Sequence, residues 1–277
     1  MKNKSLIITL IIVLSILVLG LISLMSHLLI KGNRINFNFK KENELIYEEE
    51  YNVDEVNNLT INSISSDILF KESTNNEIKV IVYGDKYNDL KVELNNNLLT
   101  IDYDVETNFC IGICFTNDRL IIYIPNTYNK NIKINTTSGD VLGLNLINAK
   151  LDFKSVSGDI QINNIDEASI TMTSGEVNIN KINKTNIKTV SGDIEINTIT
   201  EKLNIETTSG EIAIDNLTLT TDSKIKTISG DVEIDNATNI YFDTNTVSGD
   251  IKVKNNDRKA DYELSIKTTS GDISVNN

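Results

Sequence analysis

The sequence predicts an all-β chain: a single-stranded β-solenoid (β-helix) of about 17–22-residue rungs, preceded by an N-terminal transmembrane helix. Three observations predict it. The tripeptide Ser-Gly-Asp/Glu recurs eight times, residues alternate strictly on both sides of it, and a run of 25 residues without a charge stands near the N-terminus.

The charge-free run is Leu6 to Ile30. A spanning helix needs about 20 predominantly apolar residues. Lys2 and Lys4 precede it and Lys31 and Arg34 follow, so the flanking charge orients it weakly. The head is too short to be a domain, which makes the C-terminal part the cargo. The segment reads as a signal anchor, with the body outside the cell membrane. A cleaved signal peptide is the rival; the run is long for one, and no A-x-A site follows. His27, the one histidine, reads as an interfacial polar residue of this segment. Residues 31 to 44 carry four basic groups and read as a juxtamembrane linker.

From Leu45 to Pro125 the pattern is less regular. Leu59, Ile61, Ser63, Ser65-Ser66-Asp67, Ile68 and Phe70 reproduce the repeat with Ser in place of Gly, as a degenerate first rung. Asn95-Asn96-Asn97 reads as a hairpin turn. Solenoid ends are usually atypical because they cap an exposed edge. Cys110 and Cys114 flank Gly112. On a straight strand they would lie roughly 13 Å apart, too far to bond. A tight turn at Gly112 would allow a small disulfide loop; two buried thiols are the alternative. No C-x-x-C motif is present.

The regular repeats follow. Their glycines are Gly139, Gly158, Gly175, Gly192, Gly210, Gly230, Gly249 and Gly271, spaced 19, 17, 17, 18, 20, 19 and 22 residues apart. Before each tripeptide every second residue is apolar or a small hydroxyl, as in Leu151, Phe153, Ser155 and Leu203, Ile205, Thr207. After it the alternation resumes, as in Ile160, Ile162 and Ile194, Ile196. Period two means a strand with one buried face. The phase slips by one at Gly-Asp, which marks a corner. Asn163-Asn164, Asn180, Asn197 and their equivalents close each unit as turn residues. Such a unit cannot bury its apolar face alone; stacking units about 4.8 Å apart buries a continuous core. Thr136, Thr189, Thr207, Thr227, Thr246 and Thr268 are expected to form one inward ladder, bonded along the stack, and the repeat Ser a second. Eight or nine rungs are expected. The divisions are therefore 1–30 signal anchor with a short cytoplasmic head, 31–44 linker, 45–130 degenerate β capping region and 131–277 regular solenoid.

The membrane run, the irregular strands ending in Leu120-Ile-Ile-Tyr-Ile-Pro125 and the ladder of S-G-[DE] units together resemble a bacterial domain-of-unknown-function family, the "putative adhesin" family, which includes LiaG-like membrane proteins of Gram-positive bacteria. The resemblance covers about Leu45 to Asn277. It implies a β-solenoid and an envelope location, and brings no catalytic residues to transfer. Some relatives are linked to envelope-stress gene neighbourhoods.

Composition narrows the function. Residues after the first 30 carry 24 basic and 39 acidic groups, a net charge of −15, which repels nucleic acid and anionic headgroups. The corner acids Asp140, Asp159, Glu176, Asp193, Glu211, Asp231, Asp250 and Asp272 form a column. A calcium ladder is the sharp reading of it; capping of corner amides is preferred, because Glu at two positions does not fit a strict ligand geometry and no G-G-x-G-x-D motif occurs. A polysaccharide-active β-helix enzyme is the catalytic alternative, but no acid stands apart from its repeat equivalents and Trp is absent. Lysines scattered among acids, such as Lys150, Lys184 and Lys188, read as a solvated mixed-sign face. No catalytic, cofactor-binding or metal-binding residue is assigned, and no cofactor. The expectation is a non-catalytic, adhesin-like scaffold or binding protein of the envelope, or an envelope-stress accessory acting through protein contacts at the membrane. Its expected partners are the membrane, through residues 6–30, an envelope protein or glycan, and a second copy through the C-terminal edge. That edge is expected at Ser274-Val275-Asn276-Asn277.

Overall fold

The computed structural model describes residues 44–84, 89–104 and 118–276. The predicted membrane helix, His27, most of the linker, and Cys110 and Cys114 lie outside the described residues. None of the helices among the described residues is long and apolar enough to cross a membrane.

The described residues form strands joined in one hydrogen-bonded sheet that folds back on itself at the corners. Alternation dictates the strands. In Lys150–Ser157, Leu151, Phe153 and Ser155 are buried while Lys154 and Val156 between them are exposed. Before the corner, Leu151 pairs in parallel with Ile132 on one side and Ala168 on the other. After it, Ile160, Val177, Ile194, Ile212, Val232, Ile273 and Ile251 follow one another in register, as do Ile162, Ile179, Ile196, Ile214, Ile234, Val275 and Val253. These columns belong to a single core cluster up to the outermost rung, where Ile251 is exposed and Val253 half-buried. Each Ile or Val in it contributes about 1.5–3 kcal/mol by leaving water.

In the middle of the stack the bend after the second ladder needs no loop. Ile160–Met172, Val177–Lys188 and Ile194–Glu206 each run through it as continuous strands, with Ile165, Ile182 and Ile199 buried at the bend. The asparagines expected in turns here therefore stand within or beside bent strands, and bond between rungs. Asn164 Nδ2 donates to Asn145 Oδ1 at 2.7 Å and Asn197 Nδ2 to Asn180 Oδ1 at 3.2 Å.

The described residues contain ten rungs, more than the eight or nine expected, and their order in space is not their order in the chain. Asn58–Ser63 and Asp67–Glu72, the degenerate rung, lie between Leu98–Asp104 and Arg119–Ile124 on one side and Asn131–Ser138 and Val141–Asn145 on the other. Beyond Leu98–Asp104 and Arg119–Ile124 the stack ends in antiparallel strands. Asp89–Asn95 pairs with Leu98–Asp104, joined by Asn96 and Asn97 at φ 50° and 61°; Glu77–Gly84 pairs with Arg119–Ile124, and Glu44–Asn52 with Glu77–Gly84.

The far end repeats the device. Tyr262–Lys267 and Ile273–Val275, the last strands of the chain, slot between Ser223–Lys226 and Val232–Thr238 on one side and Ile240–Asn245 and Ile251–Val253 on the other. The C-terminal rung is therefore internal, which corrects the edge expected at Ser274 to Asn277. The open edge is the preceding rung.

Candidate functional site

The repeated tripeptide builds one edge of the molecule. At Gly158, Gly175, Gly192 and Gly210 φ lies between 114° and 118°, a region that other residues adopt only at a cost. A second constraint coincides with it. A Cβ on Gly158 would lie 2.6 Å from the carbonyl oxygen of Gly139, and a Cβ on Gly192 would overlap that of Gly175. The column of close approaches runs Ser66, Gly139, Gly158, Gly175, Gly192, Gly210, Gly230, Gly271, Gly249, which traces the rearranged rung order independently.

The acid after the glycine caps its neighbour. Asp140 Oδ1 accepts from the Asp159 amide at 2.8 Å, Asp159 Oδ1 from the Glu176 amide and Asp193 Oδ1 from the Glu211 amide at the same distance. Asp231 and Asp272 do the same for Asp272 and Asp250. Each of these acceptors is an aspartate, which the short arm explains: its oxygen reaches one rung along, and only the length of a carboxymethyl fits. Among the described residues there is no cluster of three or more metal-ligating side chains. Asp159→Ala is expected to cost about 1–2 kcal/mol, through the orphaned Glu176 amide and the loss of a charged acceptor. Calcium at millimolar concentration is expected to leave the thermal midpoint unchanged. Thermal unfolding with and without calcium checks both statements, and a rise of several degrees would contradict the capping role.

The hydroxyl column is real but bonds differently from expectation. Thr136, Thr189, Thr207, Thr227 and Thr268 are buried, Ser155 and Met172 continue the column, and Thr246 is half-buried. Ser155, Thr189 and Thr207 donate to the carbonyl two residues on, in their own corner, at 2.6, 3.0 and 3.0 Å. Thr246 alone among these reaches another rung, donating to the Gly271 carbonyl. The expected second inward ladder of repeat serines is absent: Ser138, Ser229, Ser248 and Ser270 are exposed and Ser157, Ser174, Ser191 and Ser209 half-buried. The alternation ends one residue before the Ser, which does not return inward. The outward residue before the Ser forms an exposed β-branched column, in spatial order Ile64, Thr137, Val156, Thr173, Val190, Thr208, Ile228, Thr269 and Val247. Apolar and hydroxyl side chains alternate along it only because the last two rungs are exchanged.

On the outer face of the second ladder lies a groove of about 420 Å³. Gln161, Asn163, Asn178, Asn180, Glu195 and Asn197 line it across three rungs. Carboxamides dominate this lining. Each can donate and accept, and the bond from Asn197 to Asn180 holds two of them in place. Sequence reasoning assigned Asn163, Asn180 and Asn197 to turns and passed over the site. The available signal was their fixed offset of five from the corner glycines, an outward position in a period-two strand.

Away from the groove, which Glu195 lines, several surface charges are paired. Lys184 reaches Glu201 at 3.0 Å, and Glu206 lies 2.6 Å from Lys224 and 3.4 Å from Lys188. The hydrogen bond from Lys224, reinforced by Lys188, holds the Glu206 carboxyl below the ordinary range. These pairs are exposed, and such pairs contribute little to stability. At the opposite end Tyr47 and Tyr51 share a hydroxyl contact of 2.5 Å beside Glu49, and desolvation raises both phenols above their ordinary value.

A parallel β-solenoid turning on Ser-Gly-Asp/Glu corners, with an amide-lined outer face, is thus the class of protein this chain defines. It matches the Toastrack family DUF4097 over residues 56–276, and belongs to that family. No curated protein matches it. A solved structure described as a "putative adhesin" from Parabacteroides distasonis is similar, with 13% identity, coverage of 84% of this chain and 98% of that one, and a TM-score of 0.44. A second such protein, from Bacteroides fragilis, has 15% identity, coverage of 84% and 98%, and a TM-score of 0.40. A "putative lipid binding protein" from Parabacteroides distasonis has 16% identity, coverage of 83% and 95%, and a TM-score of 0.41.

Proposed function

We propose that the chain is a non-catalytic binding or scaffolding protein of the bacterial cell envelope, adhesin-like in action, anchored in the membrane through residues 6–30 with its solenoid on the outer side. The groove of Gln161, Asn163, Asn178, Asn180 and Asn197 carries this reading. Carboxamides at a fixed rise match a polymer that offers hydroxyl and acetamido groups at a fixed rise, so an envelope glycan is the ligand the chemistry favours. The net charge of −15 beyond residue 30 favours a neutral or cationic chain over an anionic one. The corner acid recurs once in each Ser-Gly-Asp/Glu repeat, so no pair of corner acids is set apart for acid–base work. The charge-free apolar run Leu6 to Ile30 and the acidic, arginine-poor body support the envelope location and argue against nucleic acid.

The test is a photo-crosslinking residue at Asn178, in the full chain expressed in intact cells. Glycan attached to the crosslinked protein, reduced when Asn180 and Asn197 are changed to Ala, is the expected result. Crosslinks confined to protein would replace the glycan by an envelope protein. Crosslinks indifferent to Asn180 and Asn197, or steady cleavage of the captured glycan, would overturn the reading.

A further inference from the structure

Glu44–Asn52 is an edge strand, paired among the described residues with Glu77–Gly84 alone. Its side chains alternate between two faces. Glu48 and Glu50 point to one face, where the Lys79 ammonium lies 2.5 Å from Glu48 and 3.3 Å from Glu50. Tyr47, Glu49 and Tyr51 point to the other, in register with the buried Val82, Val80 and Ile78. Both tyrosines are half-buried and pack against the core cluster, whereas Glu49 is exposed. Packing therefore holds the two rings, and the three polar ends meet where a solute can reach them. The spacing Tyr-x-Glu-x-Tyr is what brings them to one face.

The three oxygens form a triangle. Tyr47 Oη lies 2.8 Å from Glu49 Oε2 and 2.5 Å from Tyr51 Oη, and Tyr51 Oη lies 3.1 Å from the same Glu49 oxygen. Two hydroxyl protons serve three close oxygen pairs, so one pair always meets without a proton of its own. A cation over the triangle removes that conflict. The triangle sets its size. In octahedral coordination, bonds of about 2.0–2.1 Å put neighbouring oxygens about 2.8–3.0 Å apart, whereas calcium, bonded at about 2.3–2.6 Å, would spread them to about 3.3–3.7 Å. The donors set its charge. Two phenolates and one carboxylate carry three negative charges, and Lys79, the one basic residue of the two strands, is turned to the opposite face. Histidine, cysteine and carboxylates alone build no cluster of three among the described residues; here two phenols complete one.

We propose that Tyr47, Glu49 and Tyr51 are a binding site for ferric ion, holding one face of its octahedron and leaving three positions to water or a chelating anion. A small, hard, trivalent ion matches the triangle in size and the donors in charge, and phenolate is a donor that iron accepts. Binding exchanges protons for metal: two O–H bonds break, two iron–phenolate bonds and one iron–carboxylate bond form, both protons pass to solvent, and the iron stays ferric. Desolvation chiefly, and the neighbouring Glu49 carboxylate, hold both phenols above their ordinary value, so they keep their protons until the metal displaces them. The site goes beyond the glycan reading and does not depend on it. The groove is built from rungs between Gln161 and Asn197, so loss of glycan crosslinking at Asn178 would leave iron binding intact, and the reverse.

Titration of the full chain in detergent with ferric nitrilotriacetate tests it. The parent is expected to take up one equivalent of iron and to develop a visible phenolate-to-iron charge-transfer band. Tyr47→Phe and Tyr51→Phe, which keep the packed rings, are each expected to weaken binding at least about tenfold, and the double variant to lose the band. Glu49→Gln is expected to weaken binding at least about tenfold yet keep the band, because both phenols remain. Glu48→Gln, on the opposite face, is expected to change neither. Absence of the band in the parent overturns the proposal. So does a band that persists in the double variant, which would mark an adventitious ion only, and so does an equal loss in Glu48→Gln and Glu49→Gln. Should a Phe variant lose its strand order by circular dichroism, the contrast between Glu49→Gln and Glu48→Gln decides by the same criteria.

Discussion

Gly192→Ala is expected to destabilise the solenoid by about 3–5 kcal/mol, more than most single substitutions anywhere in a domain. Two causes act together. The backbone there has φ 118°, which alanine adopts only under strain, and the new methyl would overlap the Gly175 carbonyl oxygen of the adjoining rung. A backbone carbonyl cannot swing aside as a side chain can, so the corner column must spread and the neighbouring ladder bonds lengthen with it. Gly230 separates the causes: its φ lies outside the positive region, but its Cβ would overlap Gly210 in the same way. Gly230→Ala is therefore expected to cost less than Gly192→Ala while still exceeding about 1 kcal/mol. Urea denaturation of the two variants beside the parent checks the order; equal midpoints for all three would mean that the corners do not stack as described.

Ending the chain at Asp261 is expected to remove the order of two rungs rather than one. The deleted strands supply Leu264, Ile266, Ile273 and Val275 to the core, each about 1.5–3 kcal/mol of burial. They also separate Val232–Thr238 from Ile251–Val253 and Ser223–Lys226 from Ile240–Asn245. Without them the outer rung has no neighbour, and Ile240 and Phe242 lose the strand that covers them. Hydrogen exchange reads this directly. Amides of Ile240–Val253 are expected to exchange as an unfolded chain in the truncated protein while Gly175 and Gly192 corners keep their protection. Retained protection in Ile240–Val253 would show that the outer rung can close up against Ser223–Lys226 by itself.

Much of this architecture is legible in the residues because burial leaves a local trace. Period two in Leu151, Phe153, Ser155 specifies a face, and the slip at Gly158-Asp159 specifies a corner. The same trace reveals the Ser66 rung despite its missing glycine, and the paired left-handed asparagines reveal the turn at Asn96-Asn97. Rung order leaves no such trace. An Ile at position 273 packs as well beside Val232 as beside Ile251, so the pattern is silent on which rung stands next to which. Only the connections differ, and the 22-residue step from Gly249 to Gly271 is the one hint at the C-terminal exchange. The serine phase misleads for a similar reason. Alternation predicts Ser138 inside, but the corner begins there and Ser138 is exposed like Thr137 before it. The groove was hidden because asparagine serves turns and polar faces alike, and which role it takes depends on the bent strands of Ile160–Met172 and Val177–Lys188.

The buried C-terminal strand also changes how the molecule can come apart. Ile273–Val275 is laced to a neighbour along both margins, so it cannot peel away singly. To release it, a whole slab of the rod has to loosen at once. Proteolysis within this strand is thereby tied to cooperative opening, and a cut there would betray a prior large fluctuation.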